Sequence, residues 1–244
     1  MHQRVIDTYR TVAAGHRAAS VIVGRYYVLV RLAGDAIGVT ASPPFAGGAH
    51  VRTRAGHLAG SSAVDLLGLA ASPHPVERAV GFAAANALAA LREAPFVTGN
   101  LADVLPAAPG QRVLTFGYFH SLMPRLEARG LAVRFTELRP VEGPDPVPAP
   151  DLDAVMAESD WVLVTGETLA NGTLPGILAR LPPRGRVVLV GPSTPLDPAL
   201  FAGLPVAGLA GIRVLAPDDF CRLIQEGGAT PDFGELVERR IVWL

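Results

Sequence analysis

The 244-residue chain contains no lysine, and all 21 of its basic side chains are arginine. The absence of a Schiff-base lysine excludes ordinary pyridoxal-phosphate and aldolase chemistry. It also excludes the phosphate-binding P-loop of nucleotide-hydrolysing enzymes, which requires a lysine. The single cysteine, Cys221, excludes an internal disulfide and a metal site made only of thiolates. We expect Cys221 to be a core residue.

Long apolar runs, basic runs and aromatic residues are also scarce. No apolar run reaches the roughly 18–20 residues of a membrane span, and the first residues lack the apolar stretch of a secretory signal. A net charge of −1 and 6% aromatic residues leave little with which to bind nucleic acid. The sequence therefore predicts a cytoplasmic protein without a membrane or nucleic-acid partner, and its lysine-free, alanine-, arginine- and proline-rich composition indicates a GC-rich genome.

The first hundred residues have the pattern of a small α+β unit. Two apolar runs flank Gly34-Asp35, which predicts a β-hairpin. The segment 75–93 begins with proline and is apolar nearly all round, which predicts a buried helix. The other expectations for this part are a helix over 3–19, a loop-like segment over 41–61 that can contain a short strand, and a helix over 62–70.

From about residue 100 onward, short β-branched runs alternate with helical segments. This alternation predicts βαβ units and a parallel sheet covered by helices on both faces. We therefore expect an α/β protein with a small α+β domain over 1–99 and a Rossmann-like domain over 100–244. The predicted strands are 113–119, 131–138, 161–166, 186–193 and 206–215. The predicted helices are 121–129, 151–158, 174–181, 197–202 and 217–226.

Polar residues cluster where the predicted strands end. The richest cluster is "TGETLANGT", residues 165–173, in which Asn171-Gly172 favours left-handed backbone and Thr173 stands at a helix start. A second cluster, "GPSTPLDP", follows the next strand, with Asp197 at a helix start. Helix capping explains Thr173 as well as a ligand does, and explains Asp197 better.

The remaining polar residues of the first cluster, Thr165, Glu167, Thr168 and Asn171, exceed what capping requires. Backbone N–H groups at such a helix start favour an anion or a carbonyl oxygen. Because the carboxyl ends of parallel strands meet along one edge of a sheet, we expect these clusters to line a single crevice. The sequence therefore predicts a site for a small polar ligand.

The first predicted strand lacks the fingerprint of a dinucleotide site, because Gly117 stands alone where G-x-G-x-x-G would be. Glu137 follows Gly117 by 20 residues, at the position of an acid that binds a ribose hydroxyl. A solvated loop carboxylate is the simpler reading of Glu137. S-adenosylmethionine stays open as a cofactor because it has no pyrophosphate.

The histidines show no metal-binding spacing. His50, His57, His74 and His120 include no pair four residues apart and no H-E-x-x-H motif. His120 alone falls in a strand-end loop, where it could exchange protons with a ligand. Asn86 lies in an alanine-rich helix and either bonds a neighbouring loop or reaches a cleft.

These segments resemble a known family. "DWVLVTGETLANGTLPGILARLP", the later "VVLVGPSTPL", "GYF", "EGG" and "ERAVGFAAANAL" are similar to the bacterial and archaeal proteins described as putative heavy-metal chelatases. His120-Ser121 departs from the apolar residues that the family pattern has after "GYF". The resemblance implies an enolase-N-terminal-like domain joined to a Rossmann-like domain, with a cleft between them that handles a metal chelate or a metallophore.

Three functions follow as alternatives. The first is a ligand-binding protein or enzyme of heavy-metal chelation, with Glu167 and His120 as catalytic candidates and a metal ion or chelate as its cofactor. The second is an enzyme using S-adenosylmethionine, and the third is a non-catalytic interaction protein. A homodimer is expected. The candidate ligand-binding residues, most of them carried over from the family motifs, are Gly117, Glu137, Thr165, Gly166, Thr168, Asn171, Gly172, Thr173, Gly191, Pro192, Ser193, Thr194 and Asn86.

Overall fold

The structure is a computed structural model that describes residues 1–44, 54–138, 144–183 and 185–244. The helices are α1 His2–Ala13, α2 Ala63–Gly68, α3 Pro75–Ala89, α4 Leu101–Val104, α5 Met123–Ala128, α6 Leu152–Glu158, α7 Glu167–Asn171, α8 Leu174–Leu178, α9 Pro198–Phe201 and α10 Pro217–Gln225. The strands are β1 Ala18–Val23, β2 Tyr27–Leu32, β3 Ile37–Ala41, β4 Val97–Thr98, β5 Arg112–Phe116, β6 Ala132–Thr136, β7 Trp161–Thr165, β8 Arg186–Val190, β9 Val206–Val214 and β10 Val237–Trp243.

Strands β1, β2 and β3 form an antiparallel sheet, which we call the small sheet. The predicted hairpin is confirmed, because β2 and β3 are joined at Gly34 and Asp35, whose φ angles are 97° and 69°. The prediction of a helix over 3–19 is wrong for its last six residues. The helix ends at Ala13, Gly15 adopts a φ of 85°, and β1 begins at Ala18. The β-branched run "SVIV" then continues as strand.

Helix α3 is the buried helix that its composition predicts, since every residue from Ala79 to Ala89 is buried. It packs against β2 and β3 on one side and contacts α1, α2 and α7 on others. One continuous hydrophobic cluster joins this helix to Val162 in β7 and Leu189 in β8. The small sheet and the rest of the chain are therefore joined by a shared core.

The second sheet, the large sheet, has the strand order β4-β10-β9-β8-β7-β5-β6 within the described residues. Strands β5 to β9 are parallel, as predicted for a Rossmann-like fold. The strand order reverses at β5, which lies between β6 and β7, and such a switch point opens a crevice at the carboxyl ends. Strands β10 and β4 extend the sheet with antiparallel pairing that the sequence did not predict.

Element ends differ from the predictions where glycine turns the chain. Strand β5 ends at Phe116 and β8 at Val190, in each case just before a glycine with positive φ (116° at Gly117, 107° at Gly191). No helix in the described ranges is long and apolar enough to cross a membrane.

Candidate functional site

A cavity of about 1230 Å³ lies at the carboxyl edge of the large sheet, and we call it the large cavity. The segments that follow β5, β6, β7 and β8 contribute to its wall, as do residues 229–231 and 239–241. Residues 25–27, at the start of β2, and 41–44, at the end of β3 of the small sheet, also line it. Both sheets therefore contribute to one cavity at the switch point of the strand order.

Most of the candidate residues line this large cavity, and four do not. The lining candidates are Gly117, His120, Glu137, Thr165, Glu167, Thr168, Asn171, Gly172, Thr173, Gly191 and Pro192. Gly166, Ser193, Thr194 and Asn86 lie outside its wall.

The 165–173 segment forms a compact double turn. Helix α7 ends at Asn171, and the next residue, Gly172, has a φ of 81°, a left-handed conformation in which any larger residue would be strained. The Asn171 Oδ1 atom accepts hydrogen bonds from the Thr173 N–H (3.0 Å) and the Thr173 hydroxyl (2.7 Å). The Thr168 hydroxyl donates to the Thr165 carbonyl at 2.7 Å.

These hydrogen bonds determine which polar groups of residues 165–173 remain available to a ligand. Thr173 stands at the N-cap position of α8, but its hydroxyl bonds Asn171 instead of capping that helix. The exposed Asn171 amide nitrogen has no partner among the described residues. It is the polar group of this segment that faces solvent with unused donors.

The loop after β5 carries an aromatic wall. The Tyr118 ring contacts His120 edge-on, with 4.3 Å between ring centroids, and contacts Phe135 at 4.8 Å. The Glu137 carboxylate accepts hydrogen bonds from the backbone N–H groups of Leu138 (2.7 Å) and Tyr118 (3.3 Å). Glu137 thus connects the ends of β6 and β5 beside the switch point.

On the small-sheet side, Tyr27 lines the large cavity and its phenol is 2.5 Å from the Thr230 hydroxyl. Burial raises the pKa of the Tyr27 phenol, the bond to Thr230 opposes that rise, and the negative charge of Glu167 adds to it. The phenol is therefore protonated at neutral pH and acts as a hydrogen-bonding group.

Asn86 and Ser193 join the two sheets instead of lining the large cavity. The Asn86 amide nitrogen donates to the Val39 carbonyl (2.6 Å) and to the Ser193 carbonyl (3.2 Å). The Ser193 hydroxyl accepts from the Ala41 N–H at 2.9 Å. Of the two roles considered for Asn86, the structure shows bonding to a neighbouring loop and to β3.

Gly166 allows two strand-end loops to approach each other closely. A Cβ atom at this position would lie 2.7 Å from the Thr194 backbone nitrogen and 2.7 Å from the Ser193 carbonyl carbon. Gly166 therefore packs the 165–173 segment against the loop after β8.

Arginines that the sequence analysis did not single out line the large cavity. Arg25 and Arg239 are exposed and make no ion pair with any described residue, whereas Arg180 is paired with Asp153. Arg25 belongs to "RYY" at the start of a hairpin, and Arg239 belongs to "ERR" in a strand that was not predicted. Neither local sequence indicates a binding site, and only the fold brings the two arginines to the cavity.

The described residues do not fit a resident metal ion held by side chains alone. Among them there is no group of three or more His, Cys, Asp or Glu residues that could hold one. His120 lines the large cavity, His57 is exposed elsewhere, and His50 lies outside the described residues. Cys221 is buried, as predicted, and burial raises the pKa of its thiol, so the metal-binding thiolate is disfavoured.

Comparison with known proteins identifies related sequences and folds. Residues 100–243 match the family DUF364 and residues 6–89 match DUF4213, and both families are described as "Putative heavy-metal chelation". None of the curated proteins matches the chain.

Two crystal structures of DUF364-family proteins of unknown function share the fold. One, from Pyrococcus horikoshii, has a TM-score of 0.86 and 19% identity, and the match covers 100% of this chain and 99% of that one. The other, from Desulfitobacterium hafniense, has a TM-score of 0.79 and 23% identity, with 99% of each chain covered. At these identities the likeness shows the fold alone.

Proposed function

The chain belongs to the DUF364 family, and we propose that its large cavity binds a small polar ligand in heavy-metal chelation or metallophore handling. The observation that supports this most is the position of the cavity. It lies at the strand-order switch point and is lined by both sheets, and ligands of open α/β sheets bind at such a point.

The polar groups of the wall favour an anionic organic ligand. Arg25 and Arg239 offer guanidinium groups without ion pairs in the described part of the chain, and guanidinium pairs well with carboxylates. The Asn171 amide offers further donors. Tyr26 and Tyr118 add aromatic surface to the same wall.

In this proposal the heavy metal is cargo, enclosed by the donor atoms of its chelator. The protein contacts the chelator, so the described wall does not need a cluster of metal-binding side chains. A cavity of about 1230 Å³ has room for such a complex, since ligand pockets are commonly about 300–1,000 Å³.

Two side chains of the wall can exchange protons with the ligand. His120 is exposed on the loop after β5, and an imidazole can both donate and accept a proton. Glu167 begins α7 on the facing side of the switch point. If the protein is an enzyme, we propose these two as its general acid and base.

The test is a thermal-shift titration of the purified chain with Ni²⁺ alone, citrate alone and the Ni²⁺–citrate complex. We expect the complex to raise the melting temperature more than either component, because a ligand that binds only the folded state stabilises it. Arg239→Ala should lower the affinity for the complex about tenfold, so that about ten times more of it is needed for the same rise in melting temperature. This is the effect of losing one charge-assisted hydrogen bond.

Arg134→Ala is the matched control, since Arg134 is an exposed arginine of β6 that does not line the cavity. An equal loss of response in both variants would show that only overall charge matters. If no probe binds, the alternative of a non-catalytic interaction protein gains support.

The position of Glu137 supports a second candidate function, that of an enzyme that uses a nucleoside cofactor. Its carboxylate lies at the end of β6, bonded to the loop after β5, where a Rossmann-like enzyme holds the ribose of a nucleoside cofactor. If S-adenosylmethionine is the cofactor, it should raise the melting temperature of the wild-type chain and fail to do so with Glu137→Ala.

A further inference from the structure

Aromatic residues are scarce in this chain, at 6% of the sequence, yet they are concentrated around the large cavity. The lining of the cavity contains three of the four tyrosines and two phenylalanines, namely Tyr26, Tyr27, Tyr118, Phe116 and Phe119. The fourth tyrosine, Tyr9, is fully buried in the core. Because ligand pockets are lined by aromatic side chains that the ligand covers, these rings bear on the class of ligand.

Two of the three cavity tyrosines are already engaged within the protein. The Tyr118 ring contacts Phe135, and the Tyr27 ring contacts Phe233 with 5.4 Å between ring centroids. Tyr26, in contrast, is 51% exposed and contacts no other aromatic ring of the described residues. Its ring is therefore open surface in the cavity wall, available to an aromatic group of a ligand.

A cation lies beside this open ring. The Arg25 guanidinium lies over the Tyr26 ring, with 5.9 Å between its Cζ atom and the ring centroid. Arg25 is exposed, lines the same cavity and has no carboxylate partner in the described ranges of the chain. A guanidinium that stacks on a ring can still bond a carboxylate through its N–H groups. Arg25 and Tyr26 therefore offer a cation and a ring face at one place in the wall.

The loop between β1 and β2, which carries these two side chains, is held by hydrogen bonds along its backbone. The Gly24 N–H donates to the Tyr27 carbonyl and the Ser42 N–H to the Tyr26 carbonyl, both at 2.9 Å. The buried Ser42 hydroxyl donates to the Gly24 carbonyl at 2.7 Å. A Cβ on Gly24 would lie 2.8 Å from the Ile224 carbonyl oxygen, so the loop also packs closely on α10. A fixed backbone of this kind preorganises the side chains that it presents.

We propose that the ligand of the large cavity is an aromatic carboxylate, whose ring stacks on Tyr26 and whose carboxylate pairs with Arg25. This inference rests on the proposed function, because it names the chemical class of the chelator. A ring with a carboxylate and a neighbouring hydroxyl can hold the metal through one carboxylate oxygen and the hydroxyl. The second carboxylate oxygen then accepts from the guanidinium. An aliphatic chelator would leave the Tyr26 ring unstacked.

The experiment is a calorimetric titration of the intact chain with salicylate and with cis-2-hydroxycyclohexanecarboxylate, its saturated counterpart. Both acids carry a carboxylate and a neighbouring hydroxyl, and only salicylate has an aromatic ring. We expect salicylate to bind about fivefold more tightly than the saturated acid. Salicylamide, which lacks the carboxylate, should bind about tenfold more weakly than salicylate.

Tyr26→Leu tests the ring and should remove the preference, lowering the affinity for salicylate about fivefold and leaving that for the saturated acid unchanged. Tyr26→Phe keeps the ring and should keep the preference. Phe96→Leu is the matched control, since Phe96 is also a half-exposed ring beneath an arginine, Arg240, but does not line the large cavity. Arg25→Gln should weaken both acids by the same factor, about tenfold, because both carry the carboxylate.

Equal affinities of the wild type for the two acids would overturn the proposal, and so would a Tyr26→Leu variant that retains the preference for salicylate. The titration with the Ni²⁺–citrate complex separates these failures from that of the proposed function. If the citrate complex binds and salicylate does not, the aromatic class is wrong and the proposed function stands. If salicylate binds at Tyr26 and the citrate complex does not bind, the aromatic class stands and the role in metal chelation loses its support.

Discussion

At the scale of single residues, the sequence predicts where a polar side chain lies better than it predicts the hydrogen bonds that the side chain makes. The hydroxyl and amide residues of 165–173 were placed correctly at a strand end, because strand ends follow from local pattern. How their hydrogen bonds are used was not predictable. Thr168 and Thr173 bond within their own turn, and Ser193 accepts from Ala41, a residue 152 positions away. Such choices depend on which backbone groups the tertiary fold brings close.

Tyr9 gives a prediction about alkaline pH. Burial raises the pKa of the Tyr9 phenol well above its ordinary value of 10.0, and the negative charge of Asp197 raises it further. The stabilisation that comes from the neutral phenol is therefore complete below about pH 10 and is lost as the pH rises above it. In Tyr9→Phe that loss should be absent.

The measurement is the free energy of unfolding from urea titrations at about pH 8 and about pH 11, on either side of the ordinary tyrosine pKa. The wild type should lose more stability between the two than Tyr9→Phe does. Tyr26→Phe is a control, since Tyr26 is 51% exposed. Equal losses in wild type and Tyr9→Phe would contradict the assignment.

At the scale of helices and strands, the elements with a strong apolar periodicity were predicted from the sequence, and those with a weak periodicity were missed. The alternation of β5 to β9 with helices followed from apolar runs bounded by turn residues. Helix α7 is five residues long and lies inside a segment rich in turn formers, so the sequence shows no helical periodicity there. Strand β10 reads "VERRIVW", whose three adjacent charged residues mask the strand, and its pairing with β9 is what makes it a strand.

Gly38 in β3 shows what a glycine inside a strand can do. A Cβ atom there would lie 2.1 Å from the Ala87 nitrogen and 2.2 Å from the Ala83 carbonyl oxygen, both in the backbone of α3. Gly38→Ala should therefore force α3 away from the small sheet and cost at least about 2 kcal/mol of stability.

Gly68→Ala is the matched control for this substitution. Nothing lies within 4 Å of the position where its Cβ would be, and it lies in α2, where alanine is favoured. Its unfolding free energy should stay equal or rise by up to about 1 kcal/mol. Equal costs for the two variants in chemical denaturation would refute the close approach of β3 and α3.

At the scale of the whole molecule, the sequence predicted the edge of the large sheet at which the polar loops meet. It did not predict the residues of the small-sheet side that line the same cavity. Parallel strands necessarily bring their carboxyl ends together, so Gly117, Thr165 and Gly191 follow from the strand pattern. The contribution of Arg25 and Tyr27 required knowing how the small sheet packs on the large one. That packing depends on the core around α3, which no local pattern describes.

The homodimer stays a prediction. Light scattering of the purified chain after size exclusion should give twice the mass of the 25.5 kDa chain. The exposed Phe96 and Val97, at the β4 edge of the large sheet, are suited to such a contact. Val97→Arg should then yield the monomer mass, and a wild-type mass of one chain would contradict the dimer.

The central claim is that the ligand binds between the carboxyl ends of β5, β7 and β8 and the small sheet. The most direct measurement is an anomalous-difference map from crystals grown with the Ni²⁺–citrate complex. We predict a nickel peak inside the large cavity, within reach of the loops at Gly117 and Asn171, with citrate density between the metal and Arg239. A nickel peak only at exposed histidines elsewhere, with the large cavity holding no citrate, would contradict the claim.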